Sequence, residues 1–136
     1  MANEICVDTP RLGEFRKPIR GLIPRALAGD KRAEQEVQRQ IERFKKVLRE
    51  RQRRLQALGA PRGEARATAE AFVRTDSSIQ QGVLAALSDI QDALRQGNRG
   101  VLVNRFSRLK RADAANGPAR AHRDALARKL GAEQCA

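Results

Sequence analysis

Residues 30–58 read DKRAEQEVQRQIERFKKVLRERQRRLQAL, and this stretch decides the fold of the chain. Its apolar residues return every three or four positions, which is the period of one face of an α-helix. These residues are Val37, Ile41, Phe44, Leu48, Leu55 and Leu58. Basic residues recur at every seventh position on the opposite side, namely Arg32, Arg39, Lys46 and Arg53. The stretch therefore predicts one long amphipathic helix with an apolar side and a cationic side.

Local signals set the two ends of this helix. Asp30 follows a glycine and is a favoured N-cap residue, so the helix is expected to begin there. Gly59 and the proline at position 61 are typical of a helix stop, so the end is predicted at Leu58. One cation, Arg51, falls inside the apolar heptad. We expect its stem to pack on the core while its guanidinium reaches solvent.

The rest of the chain also predicts helices. Further helices are expected over 61–74, 75–96, 101–115 and 119–130, with Thr75-Asp76-Ser77 as the cap that opens the second of them. Prolines and glycines break up residues 1–29, which predicts an irregular arm that is partly docked on the body. The domain plan is therefore the arm 1–29, a helical domain 30–130 and a tail 131–136. The fold class is all-α, with four to five helices in a small bundle that includes one long basic helix.

Composition favours helix packing in the core. The 136 residues include 40% hydrophobic residues, four Phe, and neither Trp nor Tyr. A core of aliphatic residues and alanine suits helices better than sheets. The residues predicted to form it are Phe44, Phe72, Ile79, Val83, Leu87, Ile90, Phe106 and Leu109.

The net charge is +12, and it is unevenly distributed. Residues 30–58 contain ten basic and five acidic groups, and residues 99–130 contain nine and two. Residues 59–98, which include the best core helix, contain four basic and five acidic groups. The separation of two basic segments by a neutral centre is typical of a protein that binds an anionic partner. A charge spread evenly over the chain would not show this separation.

Enzymatic chemistry finds no support in this sequence. A single histidine, His122, is too few for the familiar histidine-assisted nucleophiles. Cys6 and Cys135 each lie close to a terminus and lack metal-ligand spacing. A disulfide between them would need an oxidising compartment, so two reduced thiols are the favoured expectation. No cofactor or metal is predicted. The longest apolar run, 83–87, is too short to span a bilayer, and no secretory signal is visible, so a cytoplasmic protein is expected.

The basic segments predict a small non-enzymatic nucleic-acid-binding protein that contacts the backbone of duplex DNA. The predicted contact residues are Arg32, Arg39, Arg43, Lys46, Arg49, Arg53, Arg105, Arg108 and Arg111. Two basic helices around one core could clamp one ligand. A merely solvated helix face with internal Glu-to-Arg pairs is the plainer interpretation of the same charges.

A second hypothesis is an adaptor or inhibitor that covers an acidic surface of a larger protein. The apolar residues of the arm, Phe15, Ile19, Leu22 and Ile23, would then be the partner-binding anchors. The heptad of the long helix also has a coiled-coil pattern, which favours a homodimer if that helix overhangs the bundle. Duplex DNA is favoured over RNA as the partner. Binding of single strands by stacking is less expected, because few aromatic side chains are available for stacking on bases.

Overall fold

The computed structural model describes residues 17–59 and 61–135. The helices are α1 (Leu22–Leu27), α2 (Lys31–Ala57), α3 (Ala65–Gln96), α4 (Arg99–Ala115) and α5 (Gly117–Lys129), followed by a 3-10 turn (Glu133–Cys135). Residues 17–20 are helical as well, and no strand occurs in the described part of the chain. The predicted all-α fold with one long basic helix is confirmed.

Helix α2 forms where its sequence predicts it. The Asp30 carboxylate caps its first turn by accepting hydrogen bonds from the backbone N–H groups of Arg32 and Ala33, at 3.0 and 3.2 Å. Gly59 has a φ of +67°, a conformation that favours glycine, and it follows the last turn of the helix. The observed bounds lie one residue inside the predicted ones at each end.

Replacing Asp30 with alanine is expected to lower the melting temperature, and the effect should fade at acid pH. The Ala33 N–H and then the Arg25 guanidinium lower the pKa of the Asp30 carboxyl from its usual 3.8. A lowered pKa means that the stabilisation is present above the unfolded pKa and is lost as pH falls through the folded value.

Thermal melts from ~pH 6 to ~pH 3 would test this dependence on the charged carboxylate. The gap between the two proteins should narrow as the carboxylate takes up its proton. Asp30→Asn, which keeps the cap but removes the charge, is the matched control. A gap that stays constant over this pH range would contradict the assignment.

Helix α3 corrects the predicted break at residue 75. The helices predicted over 61–74 and 75–96 are one continuous helix of 32 residues. Asp76 does not cap a helix, because its side chain is buried at the middle of α3 and pairs with Arg51 of α2. Residues such as aspartate often end a helix because their side chains form hydrogen bonds with the local backbone. When the side chain binds a partner on another helix instead, the helix can continue through that residue.

Helix α3 is the centre of the bundle. Helices α2, α4 and α5 each pack on it, and α1 packs on α2 and α4. Helices α4 and α5 follow one another along α3 and are separated only by Asn116. Among the described residues, α2 and α4 come nowhere within 8 Å of each other between Cα atoms. The two basic helices are therefore held apart by the neutral one.

The core has two apolar clusters. The first joins α1, α2, α3 and α4, and it includes Val37, Ile41, Phe44, Leu48, Leu87, Ile90, Leu94 and Leu102. The second joins the end of α2 to α3 and α5, and it includes Leu55, Phe72, Leu126 and Ala127. Of the predicted core, Phe44, Phe72, Ile79, Leu87 and Ile90 are buried, and Val83, Phe106 and Leu109 pack against the first cluster.

The last part of the predicted irregular arm is helical. Ile19 and Ala26 are buried in the first cluster, and Leu22 and Ile23 pack against it. Helix α1, Leu22–Leu27, therefore lies within the stretch that was predicted to be irregular. The apolar spacing of this segment is what allows it to bury one side on α2 and α4.

The expectation of two reduced thiols is wrong for Cys135, which is buried and disulfide-bonded. The other cysteine of the sequence, Cys6, lies outside the described residues. Disulfides are uncommon in the reducing cytosol, so this bond argues against the predicted cytoplasmic location. The location itself stays a prediction.

A thiol titration of the denatured protein tests the bond directly. Without reductant, no reactive thiol should be found at Cys135, and after reduction both cysteines of the chain should react. Purification in the presence of a thiol-blocking reagent prevents oxidation during handling. Full reactivity before reduction would show that the bond does not form.

Candidate functional site

The first candidate surface lies along the outer side of α2, and we call it the α2 basic surface. Its members are exposed, and they are Arg32, Arg39, Arg43, Lys46, Arg49 and Arg53. At 100° per residue, Arg39 and Lys46 lie about 160° and about 140° around the helix from Ile41. Because Ile41 is completely buried, the cations at these two positions point away from the core.

The neighbouring carboxylates neutralise little of this surface. Arg39 Nη2 lies 2.9 Å from Glu36 Oε2, and Arg53 Nη2 lies 3.8 Å from Glu50 Oε2, both on exposed side chains. Exposed pairs of this kind contribute little free energy, so an anionic ligand can displace them. The other four members form no ion pair with any residue of the described ranges. In the plainer interpretation, Glu-to-Arg ion pairs within the helix neutralise the basic side chains. Among the described residues, such pairs involve only two of the six cations, Arg39 and Arg53.

Lys45 lies within the basic run of α2 but is not part of this surface. It is 7% exposed, and its Nζ donates hydrogen bonds to Ser88 Oγ at 3.0 Å and to Gln91 Oε1 at 2.8 Å. Gln91 Nε2 in turn donates to Glu42 Oε1 at 2.6 Å. That hydrogen bond is the main reason why the pKa of Glu42 is lowered.

Arg51 does not reach solvent, which corrects the expectation from its heptad position. It is 6% exposed, and its Nη1 and Nη2 donate to the two carboxylate oxygens of Asp76 at 2.6 and 3.1 Å. Arg123 Nη1 lies 3.7 Å from the same carboxylate. This ion cluster lies between the two apolar clusters and joins α2, α3 and α5. Sequence reasoning missed it because its members are far apart along the chain.

The second candidate surface is on α4, and we call it the α4 basic surface. It consists of Arg105, which is half-buried, and Arg108, Lys110 and Arg111, which are exposed. Lys110 and Arg111 line a shallow open concavity together with Asn104 and Ser107. Arg111 lies about 180° around the helix from the buried Leu102, so it faces directly away from the core.

The charge of α4 is almost unopposed. Its acidic residue, Asp113, is engaged by Arg120 of α5, whose Nη1 lies 2.5 Å from Asp113 Oδ1. None of the four members of the α4 basic surface forms an ion pair within the described part of the chain. The cations on this face are therefore available to an external anion.

The structure does not bring the α2 and α4 basic surfaces together. Ile41 of α2 and Leu102 of α4 belong to the same apolar cluster, and Arg39, Lys46 and Arg111 each lie at least about 140° around their helix from these two residues. The two surfaces consequently point away from each other. A clamp that closes both basic helices on one small ligand is not the geometry of this bundle.

The partner-binding anchors of the adaptor hypothesis are not displayed. Ile19 is buried, Leu22 and Ile23 are half-buried against the core, and Phe15 lies outside the described residues. The exposed large hydrophobic side chain of the described ranges is Val103, at 49%. The heptad of α2 is likewise buried against this chain's own helices, and the homodimer through that helix stays a prediction.

Residues 17–59 and 61–135 contain no group of three potential metal ligands. Within the same ranges, no helix combines the length and the apolar character needed to cross a bilayer. Comparison of the chain with models of protein families, with curated proteins and with solved structures gave no match. The two basic surfaces are therefore the features on which a function can be argued.

Proposed function

We propose that the protein is a small non-enzymatic nucleic-acid-binding protein that contacts the sugar-phosphate backbone of duplex DNA. The observation that carries the proposal is the α2 basic surface, which consists of six exposed cations on one rigid helix. Four of these cations make no ion pair with a described residue. A solvated helix face needs no such concentration of unpaired charge opposite the core.

The dimensions of the surface suit a duplex. Arg32, Arg39, Lys46 and Arg53 are spaced about 10 Å apart, and the row extends over about 32 Å. One turn of B-form DNA rises about 34 Å, so a row of this length matches nearly the rise of one turn along the duplex axis. Each phosphate that a cation neutralises releases condensed counterions, which provides affinity without reading the base sequence.

A duplex is favoured over single strands because the described aromatic side chains are not free to stack on bases. Binding of single strands commonly relies on stacking of bases on exposed aromatic rings. Phe44 and Phe72 are buried, and Phe106 packs against the first apolar cluster, so none of the described phenylalanines is free to stack on a base.

Fluorescence anisotropy tests the proposal. The purified protein is titrated against labelled duplex DNA, single-stranded DNA and structured RNA at several salt concentrations. We expect the duplex to bind most tightly and its affinity to fall steeply as salt rises. Failure to bind any nucleic acid at low salt would overturn the proposed function.

An acidic protein surface is the alternative partner, because carboxylates can meet the same unpaired cations. This alternative has less support, since the apolar anchors that stable protein interfaces need are buried or half-buried here. Poly-glutamate added as a competitor in the anisotropy experiment distinguishes the two. If it displaces the duplex at equal charge concentration, the surface recognises acidic groups in general.

A further inference from the structure

We infer that one copy of this protein bridges two separate segments of duplex, with one segment on the α2 basic surface and the other on the α4 basic surface. The inference rests on the proposed function and extends it, since it specifies how many duplexes one chain contacts and which residues hold each of them. It follows from the direction in which the two surfaces point.

The geometry begins at the shared core. Ile41 and Leu102 lie in one apolar cluster, so the buried sides of α2 and α4 both turn toward it. Lys46 lies about 140° around α2 from Ile41, and Arg111 lies about 180° around α4 from Leu102. The neutral helix α3 packs between the two basic helices, whose backbones do not come within 8 Å of each other. The cationic sides therefore emerge on different sides of the molecule.

Each surface is sufficient as a contact in its own right. On α2, Arg32, Arg43, Lys46 and Arg49 have no ion pair with a described residue. On α4, Arg105, Arg108, Lys110 and Arg111 are equally without one, and the nearby Asp113 is occupied by Arg120. Asn104 and Ser107 line the concavity of α4 beside two of these cations and add hydrogen-bonding groups that suit phosphate oxygens.

One short duplex cannot satisfy both surfaces. A duplex that lies along α2 leaves the α4 basic surface on another side of the bundle. Reaching that surface requires a sharp bend within a few base pairs, whereas the persistence length of DNA is about 150 base pairs. A second duplex can approach α4 directly and avoids this deformation.

A capture experiment with two duplexes tests the inference. A duplex of about 18 base pairs, shorter than two helical turns, is attached to beads and incubated with a limiting amount of the full-length protein. A fluorescent duplex of the same length is then added, and the fluorescence retained on the beads is measured. The wild-type protein is expected to retain the second duplex well above the level of beads without protein.

Three matched variants assign the two surfaces. The α2 variant carries Arg39→Gln, Lys46→Gln and Arg53→Gln, and the α4 variant carries Arg108→Gln, Lys110→Gln and Arg111→Gln. The control replaces three exposed arginines that lie outside both surfaces, through Arg62→Gln, Arg66→Gln and Arg74→Gln. Glutamine keeps the helix propensity close to that of the residues it replaces. Each surface variant should lose at least about tenfold in capture, and the control should match the wild type.

The outcomes separate this inference from the proposed function. Wild-type protein that binds the bead-bound duplex but retains no second duplex overturns the bridge and leaves the proposed function in place. Absence of binding to the first duplex overturns both. Capture that survives in the α4 variant but not in the α2 variant shows that two copies each use α2, which also overturns the inference.

Discussion

Replacing Asp76 with alanine is expected to lower the free energy of unfolding by about 3–5 kcal/mol. The change removes the carboxylate that accepts two hydrogen bonds from the Arg51 guanidinium, and Arg51 is buried between two apolar clusters. Arg123 also lies near this carboxylate, although it has an ion pair of its own with Asp124, so the variant leaves two guanidinium groups close together with less opposing charge. Urea denaturation followed by circular dichroism measures the loss.

Two further variants show whether the lost stability comes from leaving the buried Arg51 charge without the Asp76 carboxylate. Glu70→Ala removes an exposed partner of Arg66 on the same helix and should denature close to the wild type. The double variant Arg51→Met with Asp76→Leu replaces both charges by apolar groups and should recover much of the stability lost by Asp76→Ala alone. If the double variant were as unstable as the single one, loss of the Asp76 charge opposite the buried Arg51 would not be the cause.

The α2 variant, with Arg39, Lys46 and Arg53 all changed to glutamine, is expected to bind duplex DNA about 100-fold or more weakly than the wild type near 0.1 M salt. Three phosphate contacts correspond to a loss of about 2.7 from the slope of log affinity against log salt. Two of these cations make only exposed ion pairs on the same helix, so removing them should leave stability nearly unchanged.

Anisotropy titrations over a range of salt concentrations measure both quantities at once. The variant that lacks Arg62, Arg66 and Arg74 has the same net charge and serves as the comparison. A general effect of charge would weaken both proteins equally. An unchanged slope in the α2 variant would show that these three side chains do not contact phosphates.

The sequence predicted α2 well because its signals are local. A capping aspartate, a stopping glycine and a regular apolar spacing act within a few residues of one another, and the structure contains all three. The exposure of the α2 basic surface followed from the same spacing. Helix α3 was divided in error because Asp76 has its partner on another helix, 25 residues away in the sequence.

The burial of Lys45 and Arg51 was beyond local reasoning for the same reason. Whether a cation in a basic run faces solvent depends on the groups that oppose it, here Gln91 and Asp76 of α3. The divergence of the α2 and α4 surfaces depends on how three helices pack. A pattern read along one chain segment contains no information about that arrangement.

The buried polar contacts between α2 and α3 also set their alignment. An aliphatic seam tolerates sliding, because one leucine or alanine can replace another when a helix shifts by one turn of 5.4 Å. The Arg51–Asp76 and Lys45–Gln91 contacts allow no such shift, since each would strand a charge in an apolar interior. We infer that these two contacts fix a single register of α2 against α3. They thereby determine which side of α2 faces outward.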